Sequence, residues 1–188
     1  MALVLVQIVL VIRGYRMNNF WIVVDTVRIP DALKQLKTVT ELDTVLPLYA
    51  GSDFDYLIDQ SPLLINLGSN ESVLDKWRTL PLFDSSSVVI TLNKNTDAYE
   101  LLNHLQNLLS VSIDQTAFLF RFYVNSIWEQ VASELNEQDI HTILGPASGL
   151  YWVDGSQQIH SFHQQSTSDK ENAETPYRLT SSIFKQWV

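Results

Sequence analysis

Apolar residues fall along this chain in short runs separated by polar turns, and two periods alternate. Residues 20–27 (FWIVVDTV) form an apolar, β-branched run that reads as a buried strand, and residues 62–67 (PLLINL), stopped by Gly68, read as another. Residues 86–93 (SSVVITLN) give a third. Residues 46–53 (LPLYAGSD) read as a short extended piece ending in a turn. Between these runs the period changes. Pro30 suits a first helical turn, because its missing N–H would be unpaired there, and Leu33 and Leu36 then face one way over residues 30–37. Asn70 is placed to cap a helix over 71–78 with Val73, Leu74 and Trp77 on one face. Asp97 is placed to cap the clearest helix, whose stripe is Leu101, Leu102, Leu105, Leu108 and Leu109. Glu100 stands three residues after that cap, as in a capping box.

Farther on, FLFRFYV (118–124) predicts a strand with Phe118, Phe120 and Phe122 on one face and Leu119, Arg121 and Tyr123 on the other. Ser126 and Glu129 then have capping-box spacing, ahead of a stripe of Ile127, Val131 and Leu135. A second short helix is expected from Glu137 to Leu144, ended by Gly145-Pro146. Residues 149–162 read as a hairpin in which Asp154-Gly155 supply the positive φ angles of a tight turn. Residues 164–176 read as a polar linker, and 177–188 as a docking segment with Ile183, Phe184 and Trp187 on one side. Strands alternating with helices predict an α/β (or α+β) fold, a mixed sheet with flanking helices, in one domain or two small lobes.

Composition narrows the class. Of 188 residues, 46% are hydrophobic and 11% aromatic, enough for a packed core. No cysteine is present, which excludes disulfides, thiolate metal sites and thiol nucleophiles, and fits a reducing, cytoplasmic setting. The formal charge of −9, with Lys and Arg scattered singly, argues against nucleic acid and against stable membrane association. A protein partner is the expectation. The first sixteen residues are a separate matter. Ala2 to Ile12 is almost wholly apolar, but eleven residues are too few to cross a core of ~30 Å as a helix. Arg13 and Arg16 follow this run, whereas a signal peptide carries its basic residues before it. Residues 1–16 therefore read as an edge strand or as an upstream start ahead of Met17, with a membrane anchor the third reading. The main folded domain is placed at 17–163.

Catalytic patterns are absent from the sequence. There is no G-x-S-x-G elbow, and six glycines form no phosphate-cradling loop. His160 and His163 would lie on opposite faces of a strand, which is wrong for shared metal ligation, and His104 and His141 read as hydrogen-bonding boundary residues on helices. Asp53, Asp55 and Asp59 lack the closing Glu of a calcium loop, since the twelfth position is Leu64. No catalytic residue, cofactor or metal is expected. Arg121, a charge within an aromatic strand, must snorkel, pair with a carboxylate or hold carbonyls, and an ion pair is the preferred reading over partner contact. Trp128 and Trp152 have the residue type of interface anchors, although core burial is again preferred.

The runs FLFRFYVNSIWEQV (118–131), ILGP (143–146) and ELLNHLQNLL (100–109), with FWIVVD, LPLYAGSD and SPLLINL before them, keep the order of a known family. Over about residues 20 to 154 the chain resembles the effector chaperone, or adaptor, family of bacterial type VI secretion systems (the TEC/Tap group). Where that family usually reads F-R-[FY]-[YW]-D-P, this chain has Val124-Asn125-Ser126, losing the charge and the proline. The family's leucine segment is also richer in Arg than this one, which has His104 and Gln106. The resemblance implies a non-enzymatic cytoplasmic protein that binds one cognate toxin and aids its loading onto the VgrG spike. An immunity-type protein that neutralises a toxin is the alternative. The residues put forward for partner contact are Arg121, Tyr123, Asn125, Trp128 and Trp152.

Overall fold

The computed structural model describes residues 18–164 and 175–187. The readings for residues 1–16 and for most of the polar linker lie outside them. Six strands form an antiparallel sheet: β1 (Asn18–Val24), β2 (Val45–Pro47), β3 (Leu63–Asn66), β4 (Ser87–Asn93), β7 (Ala147–Val153) and β8 (Ile159–His163). Their order is β2-β3-β1-β4-β7-β8. A second sheet holds β5 (Ser110–Ile113) between β6 (Thr116–Leu119) and β9 (Tyr177–Arg178). Its β5–β9 pairing is parallel.

The near-continuous apolar runs of β1 and β4 follow from burial on both faces. On one face Trp21, Val23, Val88 and Ile90 join the larger core with helix α4 (Ala98–Leu108), α5 (Asn125–Val131), α6 (Glu137–Leu144) and the second sheet. On the other, Phe20, Ile22, Val24 and Val89 meet α1 (Ala32–Leu36), α2 (Ser72–Trp77) and α3 (Phe83–Ser86). The architecture is therefore a mixed α/β one, with helices flanking both faces of the principal sheet. The second sheet shares the larger core rather than building its own.

The capping and stripe arguments hold where both are strong. Asp97 accepts from the Tyr99 amide at 3.0 Å, and all five leucines of the α4 stripe are buried. Asn70 lies one residue ahead of the cap position, Glu71, where it accepts from the Ser72 amide at 3.0 Å, and Val73, Leu74 and Trp77 are buried. Helix α6 has the expected limits. Its stop, Gly145, has φ 53 and ψ −116, a conformation that side chains avoid. A Cβ at Gly145 would also collide with the His104 ring.

Four local expectations are corrected. The strand expected over 118–124 ends at Leu119. The chain then folds through bonds from the Phe122 amide to the Phe120 carbonyl and from the Val124 amide to the Arg121 carbonyl. Alternation stops there, so Phe120, Phe122 and Tyr123 are all buried, while Leu119 is exposed. Ser126 caps nothing. Helix α5 starts at Asn125, two residues earlier than a Ser126 cap would set, without a side-chain cap, and Trp128 and Val131 face its core with Ile127 and Leu135 at the margin. On α1, Ala32 and Leu36 face inward, and Leu33 lies outside. The β7–β8 connection has five residues, with its positive φ at Gln157 rather than Gly155. The Asp154 carboxylate organises that loop by accepting from the Ser156 and Gln158 amides.

The C-terminal segment docks as a 3-10 helix, Ser182–Trp187. Phe184 is fully buried, and both it and Trp187 pack on Phe120. Asp139, also fully buried, accepts from the amides of Thr180 and Ser181 and from the Thr180 hydroxyl.

Candidate functional site

Three loops meet at the end of the principal sheet where β1 finishes and β3 and β4 begin. Asp25 follows the last residue of β1, and its side chain is 3% exposed. One carboxylate oxygen accepts from the amides of Val27 (3.0 Å) and Arg28 (3.2 Å). The other accepts from Arg121 Nη2 at 2.8 Å. Arg121 Nε donates to the Tyr123 hydroxyl at 3.3 Å, and that hydroxyl lies 3.2 Å from the Tyr49 hydroxyl. Thr26 ties the same turn to the Ser61 carbonyl at 2.9 Å.

The electrostatics follow from this geometry. Burial, reinforced by the Tyr123 hydroxyl, pushes the Tyr49 phenol well above its ordinary value. The bond to Tyr123, with Asp25 alongside, moves Arg121 further toward the protonated form. The Tyr49 phenol therefore stays neutral and Arg121 stays a cation. Asp25 and Tyr123 together hold the Arg121 guanidinium in one orientation.

Arg121 thus makes the expected ion pair, yet its side chain remains 47% exposed. The other four residues put forward for partner contact are buried. Tyr123 belongs to the network above. Asn125 opens α5 and donates from Nδ2 to the Val153 carbonyl at 2.9 Å, tying that helix to β7. Trp128 is fully buried and donates to the Phe122 carbonyl at 2.6 Å. Trp152 is 7% exposed and stacks on His160. The structure brings Arg121 and Tyr123 together and leaves the other three outside the site. Sequence reasoning missed Asp25 and Tyr49. Their available signals were an acid ending the FWIVVD run and a tyrosine inside LPLYAGSD.

The histidines occupy structural positions. His160 pairs with Asp154 at 2.7 Å and thereby holds that exposed carboxylate below its usual range. His163 bonds Ser161, and His141 bonds Gln164. Among the described residues, no group of three or more His, Cys, Asp or Glu stands together to hold a metal ion. A shallow cleft of about 330 Å³ lies elsewhere, between the β5–β6 turn and the C-terminal segment. Its lining includes Ser112, Asp114, Arg178 and Lys185 and no histidine. Among the described residues, no helix is long and apolar enough to cross a membrane.

His104 carries a pH prediction. Its Nε2 lies 2.9 Å from the Ile143 carbonyl, which can only accept, so Nε2 holds the proton and Nδ1 accepts from the Tyr177 hydroxyl at 3.1 Å. Burial pushes its pKa below the ordinary 6.5. The unfolded chain therefore binds this proton first. Stability contributed by neutral His104 is complete above about pH 6.5 and is lost as pH falls from there toward the lowered folded value. Urea midpoints measured from pH 8 to 5 should fall toward acid, with a smaller fall in His104→Gln.

Comparison with known proteins gives one match. No curated protein and no solved structure matches the chain. A family model described as "Domain of unknown function (DUF4123)" matches residues 20–142, which include Asp25, Tyr49, Arg121 and Tyr123. With more than half of its length matched, this chain belongs to the DUF4123 family.

Proposed function

We propose that this protein is a non-enzymatic cytoplasmic adaptor that binds one cognate type VI secretion effector, a toxin, and aids its loading onto the VgrG spike. The observation that carries this reading is the family membership over residues 20–142. That family is associated with type VI effector adaptors. The same span contains ELLNHLQNLL and FLFRFYVNSIWEQV, the runs that resemble the effector chaperones. Charge adds support, since a chain of −9 is suited to a protein partner rather than a polyanion.

The mechanism is recognition. The adaptor holds the toxin through a rigid surface during transfer and is left behind when the spike is fired. Its packed core of flanking helices keeps that surface in one geometry, which lowers the ordering cost of binding. The test is co-expression with the cognate toxin. The tagged chain should retain the toxin through purification, and cells producing an active toxin should gain no protection from it. Protection of those cells would instead mark an immunity protein, and failure to retain the toxin would overturn both readings.

A further inference from the structure

We propose that Arg121 is a preset docking point for a carboxylate on the partner polypeptide, an Asp or Glu side chain flanked by apolar residues. This deepens the adaptor reading and rests on it for the identity of the partner. A guanidinium carries five N–H donors in a fixed plane. Nε gives its one to Tyr123, and Nη2 gives one to Asp25. The edge formed by Nε and Nη2 is thus filled from inside the protein. Three N–H groups remain, both on Nη1 and the second on Nη2, without a partner among the described residues. One of the Nη1 groups and the remaining Nη2 group form the end-on fork that matches the two oxygens of a carboxylate.

Asp25 needs no more than this. Its Oδ1 is taken by two backbone amides and its Oδ2 by one guanidinium N–H. The Arg121 side chain stays 47% exposed while its partner is 3% exposed. Here the acid is sunk and the base stands out, so Asp25 and Tyr123 fix the Arg121 rotamer before any partner arrives. Side-chain freedom usually lost on binding has already been lost in folding.

The rim defines what flanks the carboxylate. Val27, whose amide is bonded to Asp25, is 58% exposed. Ile58 is 40% exposed and its carbonyl accepts from the Ser61 amide, in the loop that Thr26 holds. Exposed Arg28 adds a second positive charge, without an ion pair among the described residues. A cationic fork on a chain of net −9, with exposed Val27 and Ile58 in the loops tied to Asp25 and Thr26, is a local exception that suits an acidic group on a largely apolar segment.

The test uses the labelled full chain and two short probes, acetyl-Leu-Glu-Leu-amide and its Gln counterpart, followed by NMR. The Glu peptide should shift the Arg121 Nε–H and Val27 amide resonances, with the Gln peptide binding about tenfold more weakly or worse. Arg121→Lys keeps the charge opposite Asp25 but loses the fork, and should weaken the Glu peptide by a similar factor. Val27→Asp, a surface change, should weaken it as well by placing a like charge on the rim. Equal responses to both peptides, an unchanged response in Arg121→Lys, or no response at roughly 10 mM peptide would overturn the proposal. The titration needs no toxin, so it fails or succeeds separately from the adaptor reading.

Discussion

Asp139→Ala should destabilise the protein by about 3–5 kcal/mol, although Asp139 lies in no site put forward from the sequence. Its carboxylate accepts from the Thr180 amide at 2.9 Å, the Ser181 amide at 2.7 Å and the Thr180 hydroxyl at 3.1 Å. Removing it leaves two backbone donors without an acceptor, each at a cost of about 1–3 kcal/mol when buried. Those donors hold the chain just before Phe184, so loosening them also frees apolar surface that packs on Phe120. Asp139→Asn should cost less, because one amide oxygen remains while its NH₂ faces a donor. Urea unfolding gives the stability, and hydrogen exchange at Thr180 and Ser181 locates the change. An Ala variant that unfolds with the wild type and keeps those amides protected would refute this account of C-terminal docking.

Trp128→Ala should be comparably severe, at about 3–5 kcal/mol. The indole is fully buried between Phe120 (5.8 Å between ring centroids) and Phe162 (5.4 Å), where truncation leaves a cavity the sheet cannot close. It also strands the Phe122 carbonyl, which accepts from Nε1. Trp128→Phe keeps most of the volume and should lose only about 1–2 kcal/mol, for the hydrogen bond. These values separate a core tryptophan from an interface anchor. An anchor would leave the monomer's urea midpoint unchanged on truncation and weaken only partner binding.

Much of the fold was legible because local and global signals agree in it. The α4 stripe and its Asp97 cap point the same way, as do the doubly buried runs of β1 and β4. What failed was local geometry set by long-range contacts. An aromatic run with strand periodicity fixes a strand only while a neighbour continues the ladder, and β5 ends that ladder opposite Leu119. Beyond it, Phe120 and Phe122 turn inward to meet Trp128, Phe184 and Tyr123. Asp154-Gly155 resembles a two-residue turn, but the carboxylate of Asp154 draws in Ser156 and Gln158 and lengthens it.

The candidate site shows the same divide. Arg121 stood out because a charge in an aromatic run needs a reason, and pairing was the preferred one. Its partner, 96 residues earlier, could not be read from spacing, because the approach of the residue after β1 to the 120–124 turn is a tertiary fact. Composition could not separate tryptophans that bind a partner from tryptophans that fill a core, and burial of Trp128 and Trp152 does.

The central claim, that this chain serves effector delivery, is tested most directly by deleting its gene. Delivery of the cognate toxin to prey cells is then measured, with firing of the secretion machine followed separately. The account predicts that toxin delivery is lost while firing continues, and that the wild-type gene restores it. Unchanged delivery in the deletion strain would contradict it.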